Sequence, residues 1–88
     1  MPVYEIEHKW SSDKTNVVVE KVQAAIAMAK KGQVPKGFRP ISIVAVPNQT
    51  VAHCLWEAPS AASLEAVYQS LGIPTTRTIR EVTPFYTA

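Results

Sequence analysis

The chain has 88 residues, with 9 Lys+Arg, 7 Asp+Glu, 2 His and 1 Cys, and a formal net charge of +2. This length fits a single domain over residues 1–88, and 47% apolar against 18% charged residues argues against disorder. One cysteine cannot form an internal disulfide, and the longest apolar run, residues 41–46, is too short to cross a bilayer. We expect a soluble cytoplasmic domain without a signal segment.

The first element is a strand, because side-chain type alternates along residues 2–10. Tyr4, Ile6 and His8 would lie on one face, and the acidic residues of this segment would lie on the other. Alternation of aromatic and branched residues with charged ones is typical of a half-buried strand.

A helix is expected to follow. Residues 11–16 are of the types that cap helices, and their side-chain oxygens would accept hydrogen bonds from the first turn. Apolar residues then recur at helical spacing, at Val18, Val22, Ala25 and Ala29. Gly32 supplies the left-handed residue at which the helix would end.

A β-hairpin is predicted in the middle of the chain, from residues 41–46 and 50–56 joined by Pro47-Asn48-Gln49. Its first strand is apolar on both faces. In its second strand, Leu55 would share one face with Val51, and the other face would carry Cys54 and its alternate neighbours.

A second helix, capped by Ser60 and ended by Gly72, and a last strand over residues 77–83 complete the order βαββαβ. This order predicts an α+β, ferredoxin-like fold, a four-stranded antiparallel sheet with two helices on one face. Because the helices cover one face only, a hairpin that is apolar on both faces needs another cover. We expect a second copy to supply it in a homodimer; a monomer with an open ligand-binding sheet is the alternative.

The first and third strands are neighbours in the centre of a ferredoxin-like sheet. Four of their side chains suit a divalent transition metal, namely His8, His53, Cys54 and Glu57. Imidazole, thiolate and carboxylate are ligands of nickel, copper and zinc. On a regular strand Cys54 points away from both His53 and Glu57, so a site that uses all four needs a bulge or a partner subunit. Each residue also has a structural explanation, because cysteine packs as a small apolar residue and histidine bonds to carbonyl or carboxylate groups.

Catalysis and RNA binding have less support. A Cys54 nucleophile would need a base and an oxyanion site, and no motif supplies the latter. Lys36-Gly37-Phe38 matches the opening of the aromatic motif of RNA-recognition domains, but it precedes the second strand instead of lying on the third, and the basic residues are scattered. We expect no nucleic acid, no membrane and no organic cofactor.

Three segments carry a family resemblance: residues 53–60 (His-Cys-Leu-Trp-Glu-Ala-Pro-Ser), then Gly72-Ile73-Pro74, then residues 79–82 (Ile-Arg-Glu-Val). The chain resembles a small bacterial family of unassigned function that is related to a nickel-binding, ferredoxin-like protein of the dimeric α/β-barrel superfamily. The resemblance covers the C-terminal part well and the first strand loosely. It implies a dimeric α/β barrel whose two sheets enclose a metal or ligand, with Cys54 and Glu57 at the motif positions.

The leading hypothesis is a cytoplasmic homodimer that binds nickel or another divalent transition metal, or a small ligand, between its sheets. One alternative is a cofactor-free oxygenase or isomerase acting on a small aromatic molecule. In that enzyme Tyr4, Trp10 and Trp56 would line the pocket, and His53 or Glu57 would move the proton. A second alternative is a non-catalytic structural or regulatory domain, which predicts neither pocket nor metal.

Overall fold

The computed structural model describes residues 1–46 and 48–86; Pro47 of the predicted turn lies outside the described residues. The elements in chain order are β1 (Val3–Lys9), a 3₁₀ turn (Ser12–Lys14), α1 (Thr15–Lys30), β2 (Arg39–Ala45), β3 (Val51–Glu57), α2 (Ala61–Leu71) and β4 (Thr76–Val82). The predicted order βαββαβ is therefore confirmed, with the last strand beginning and ending one residue earlier than expected.

One antiparallel sheet with strand order β2-β3-β1-β4 organises the molecule. The two central strands bury every second residue, which places Tyr4, Ile6 and His8 of β1 on the same face as Cys54 and Trp56 of β3. Both helices pack on this side, which we call the covered face, and the opposite side is the open face. The ferredoxin-like prediction is confirmed.

Helix α2 begins and ends as the sequence predicts. The Ser63 amide donates to Ser60 Oγ (3.0 Å), and the Ser60 amide donates to Ser63 Oγ (3.1 Å), which forms a reciprocal capping box. Gly72 ends the helix in the left-handed region, at φ 67°. The Ile73 amide then donates to the Tyr68 carbonyl (3.4 Å), which brings Ile73 back into the core.

The start of α1 differs from the expectation. No side chain caps this helix, because the 3₁₀ turn runs directly into it and leaves Lys14 at the cap position with helical backbone angles. A side-chain cap needs extended backbone at that residue, so the predicted capping by residues 11–16 is wrong for α1. The Thr15 hydroxyl accepts a hydrogen bond from the Trp10 indole instead (3.1 Å).

Helix α1 packs loosely on the sheet. Of its sixteen residues only Val18 is buried, and Ala25 and Met28 farther along its apolar side stay half-buried. A polar contact joins it to α2, because Lys21 Nζ donates to the carbonyl of Leu71 at 3.2 Å. No helix within the described ranges combines the length and the apolar character that crossing a membrane requires.

The predicted hairpin is present as β2 and β3, with one irregularity. The register shifts between Pro40 and Ser42, so β2 contains a bulge at its start. Beyond the bulge Ile43 lies opposite Cys54 on the covered face, and Val44 lies on the open face, where it is 57% exposed. Beyond the bulge the side chains of this strand alternate between the two faces, and a second copy on the open face stays a prediction.

Candidate functional site

The four candidate metal ligands are divided between the two faces of the sheet. His8 and Cys54 are buried on the covered face, 3% and 4% exposed, whereas His53 and Glu57 are half-buried on the open face. The chain therefore does not bring the four together. Among residues 1–46 and 48–86, no group of three or more His, Cys, Asp or Glu side chains is placed to hold a metal ion. Metal binding by these residues stays a prediction that would involve a partner subunit.

Cys54 lies in the core. Burial raises the pKa of its thiol to about 11, against the opposing effect of the neighbouring Tyr68 hydroxyl. The thiolate is the form that attacks substrates and binds soft metals, so at neutral pH this environment holds the unreactive form. The surroundings of Cys54 are those of a small apolar core residue.

Glu57 is engaged on the open face. Its carboxylate pairs with the Arg39 guanidinium across the β2–β3 pair, and that hydrogen bond lowers the pKa of the carboxyl. The carboxylate is ionised and already has a cationic partner. His53 lies on the same face of β3, with Leu55 between it and Glu57, and is opposite Val44. These two candidate ligands border an apolar surface of the open face.

His8 is held as a neutral imidazole. Its Nδ1 shares a hydrogen bond with Thr75 Oγ1 (2.8 Å), and its ring meets the Tyr68 ring edge-on at 4.9 Å. Burial, and then the positive charge of Arg77, lower its pKa to about 4. His8 thus serves the packing of β1 against α2 and the loop before β4.

Arg77 joins α2 to β4, and its pairing with Glu65 was not predicted from the sequence. Its Nε and Nη2 donate to the two carboxylate oxygens of Glu65 at 2.8 and 2.6 Å, and its Nη1 donates to the carbonyl of Ile73 at 3.0 Å. The guanidinium also lies 5.3 Å from the centre of the Tyr68 ring. The pairing register of β4 with β1 could have indicated this role, because Arg77 lies opposite His8 and therefore on the covered face.

A cavity of about 270 Å³ lies between α1, α2 and β3. Most of its lining is apolar, with Gln33 and Ser70 as the polar exceptions besides the aromatic residues. The apolar and aromatic lining residues are Ala25, Met28, Val34, Pro35, Trp56, Leu64, Val67, Tyr68 and Leu71. The space exists because α1 does not close onto the sheet along its C-terminal half.

Two polar atoms of residues that line this cavity have no hydrogen-bond partner among the described residues. Trp56 Nε1 and Tyr68 Oη are buried, and neither makes a hydrogen bond with any of the described residues. The Tyr68 hydroxyl lies near the Cys54 thiol and the Trp56 indole without reaching hydrogen-bond geometry with either, and burial raises the pKa of Tyr68. Buried polar groups are nearly always paired, and each unpaired one costs about 1–3 kcal/mol.

The predicted aromatic pocket is only partly realised. Trp56 lines the cavity, but Tyr4 does not, and Trp10 borders a separate open hollow on the surface. His53 and Glu57, the predicted proton carriers, lie on the other side of the sheet. Tyr68, which was not predicted to have a functional role, is buried in the core and lines the cavity beside Trp56.

Similarity to known proteins adds nothing to this geometry. Comparisons of the chain with protein-family models, with curated proteins and with solved structures found no significant match. The resemblance based on residues 53–60 therefore stays a prediction, and the case for function rests on the cavity and on the residues around it.

Proposed function

We propose that this chain is a small binding protein that takes a flat, mainly apolar molecule into the cavity between its helices and its sheet. The observation that carries the proposal is the apolar cavity together with the two unpartnered polar atoms of the aromatic residues that line it, Trp56 and Tyr68. The proposal develops the hypothesis, made from the sequence, that the protein binds a small ligand, and it assigns that ligand to the covered face.

The size of the cavity limits the ligand. A cavity of about 150 Å³ lined by apolar side chains holds benzene, so 270 Å³ suits about two fused rings. Binding pockets for small molecules usually begin near about 300 Å³ and combine an apolar lining with a few polar groups. The Trp56 and Tyr68 rings supply flat surfaces for a planar ligand.

The polar groups suggest that the ligand carries one neutral oxygen. An indole N–H only donates, and a protonated phenol donates and accepts. Because burial raises the pKa of Tyr68, its hydroxyl stays protonated at neutral pH and can donate a hydrogen bond. A ligand hydroxyl or carbonyl that reached Trp56 Nε1 and Tyr68 Oη, both of which are sealed from solvent, would give a partner to groups that have none among the described residues.

The loose packing of α1 gives such a ligand a way in. Ala25 and Met28 line the cavity from α1, and both are half-buried. A planar molecule between α1 and α2 would bury apolar surface on both helices and would complete the core on this side. Ligand binding should therefore raise the melting temperature of the protein.

The geometry favours binding over catalysis. Among the residues that line the cavity, Tyr68 is the one with a titratable side chain, and its raised pKa suits hydrogen-bond donation and not proton abstraction. Nickel binding and a cytoplasmic location remain part of the sequence hypothesis. A nickel site would have to use either the covered-face pair His8 and Cys54 or the open-face pair His53 and Glu57, with further ligands from a partner.

Calorimetry and amide NMR with naphthalene and 2-naphthol as probes test the proposal. We expect both to bind, with amide shifts concentrated in α1, α2 and residues 33–35. The hydroxyl should make 2-naphthol bind about fivefold tighter, and the preference should shrink in Tyr68→Phe, which leaves Trp56 Nε1 as the remaining donor.

The matched variants are Ala25→Phe and Ala24→Phe. Ala25 lines the cavity and its neighbour Ala24 is exposed on the same helix, so only the first ring fills the space. We expect Ala25→Phe to abolish binding of both probes and Ala24→Phe to leave it unchanged. Binding that is equal in the two variants, or no binding by the native chain, would overturn the proposal.

A further inference from the structure

A lysine of α1 is held next to the cavity. Lys21 precedes Ala25 by four positions and Met28 by seven, so the three share one side of the helix, and Ala25 and Met28 line the cavity. Lys21 is half-buried, and its Nζ donates to the carbonyl of Leu71, another lining residue, at 3.2 Å. The ammonium group is therefore positioned beside the cavity, where α1 meets the last turn of α2.

The charge of this ammonium group is not matched by a carboxylate within residues 1–46 and 48–86. A lysine can cap the C-terminal end of a helix, and the Leu71 carbonyl takes one of the three N–H donors of Lys21. None of the ion pairs in that part of the chain includes Lys21, and Glu65, the one acidic residue of α2, is paired with Arg77. Capping thus explains one donor and leaves two donors and a positive charge for a ligand.

The cavity also lies in the basic part of the chain. Residues 21–56 contribute its lining from α1, from the loop that follows α1 and from β3, and they contain five Lys and Arg and no Asp or Glu. The remainder of the chain contains four Lys and Arg and seven Asp and Glu. Clustered charge of one sign attracts ligands of the opposite sign. The surroundings of the cavity therefore favour an acidic ligand over a basic one.

We propose that the ligand of the cavity is a flat aromatic carboxylic acid, whose rings fill the apolar space while its carboxylate binds Lys21 Nζ. This ligand class rests on the function proposed above and narrows it. A carboxylate accepts hydrogen bonds and carries the charge that Lys21 requires, and such charge-assisted bonds are about twice as strong as neutral ones. Because the Leu71 carbonyl already holds the ammonium group, little side-chain freedom is lost when the acid binds. The neutral oxygen near Trp56 and Tyr68 would be a second substituent.

Calorimetry with 2-naphthoate and 2-naphthamide tests this ligand class, because the two probes have the same rings and nearly the same shape but differ in charge. We expect the native chain to bind 2-naphthoate about tenfold tighter than 2-naphthamide at low salt. Lys21→Met removes the charge and should bind the two probes about equally, whereas Lys21→Arg keeps the charge and should keep the preference. The matched control is Lys14→Met, which removes an exposed lysine at the start of the same helix and should leave the preference unchanged.

The ratio of the two affinities separates this role from capping, because loss of the cap alone would weaken both probes alike. Should Lys21→Met not fold, the native chain still gives the answer, since the preference should fall to about threefold or less at about 1 M salt. A native chain that binds 2-naphthamide as tightly as 2-naphthoate, a preference that survives in Lys21→Met, or one that salt does not reduce would overturn the ligand class and leave the binding function standing. If neither probe nor naphthalene binds, the binding function itself fails.

Discussion

Acidification should destabilise the fold through His8. The ring is buried, shares a hydrogen bond with Thr75, contacts Tyr68 and lies near the Arg77–Glu65 pair. Its pKa falls from 6.5 to about 4, first through burial and then through the charge of Arg77, while Glu65 opposes the shift. The unfolded chain therefore binds this proton more readily than the folded chain does.

The sign and size of the effect follow from that difference. A depressed pKa in the folded state means that the contribution of His8 is complete above pH 6.5 and is lost as the pH falls toward 4. The full loss is about 3 kcal/mol, of which about 2 kcal/mol is gone by about pH 5. The total free energy of unfolding of a small domain is about 5–15 kcal/mol, so a change of this size is readily measured.

Urea unfolding at about pH 7.5, 6 and 5 gives the measurement. We expect the free energy of unfolding of the native chain to fall over this range and that of His8→Gln to fall much less. The control is His53→Gln, on the open face, which should keep the native slope. Glu57 and Glu65 also have lowered pKa values, but their contributions to stability are lost at lower pH than that of His8. Parallel curves for the native chain and His8→Gln would refute the reasoning.

Three further changes test other parts of the fold and site. Arg77→Met should lower the free energy of unfolding by about 1–3 kcal/mol in urea, because Glu65 and the Ile73 carbonyl lose their donor. Gly72→Ala should cost about 1 kcal/mol in the same assay, because alanine is strained at φ 67° although its Cβ has room. The nickel hypothesis predicts a heat of binding when Ni²⁺ is titrated calorimetrically into metal-free protein. Cys54→Ser should abolish that heat if the site is on the covered face, and Glu57→Gln should abolish it if the site is on the open face. The absence of heat with the native chain would contradict both versions of the hypothesis.

The fold was predictable because its signals are local. Alternation along residues 2–10 set the faces of β1, and Ser60 and Gly72 marked the ends of α2 through hydrogen bonds that span a few residues. The cap of α1 was the exception. Residues 11–16 have side chains suited to capping, but a 3₁₀ turn leaves Lys14 at the cap position with helical angles, and residue type alone does not predict that turn.

The site was less predictable because it depends on register and on packing. The sequence could not say which face Cys54 occupies until β1, β3 and the helices were placed together. Thr75 lies 67 positions from its partner His8, and no local pattern joins them. The cavity depends on a gap beneath α1, and hydrophobic periodicity shows which residues face inward but not how closely they approach.

The cavity and the unpaired polar atoms together argue for function more strongly than either does alone. A larger residue in place of Ala25 would fill the space, and phenylalanine in place of Tyr68 would remove one unpaired group. Both changes are of the kind that commonly stabilise proteins. A small domain has a small free energy of unfolding. A cavity and unpaired polar atoms at one place both lower that free energy, and they are unexpected together in a purely structural core. Departures from good packing and pairing concentrate at functional sites, and here they coincide around Trp56 and Tyr68.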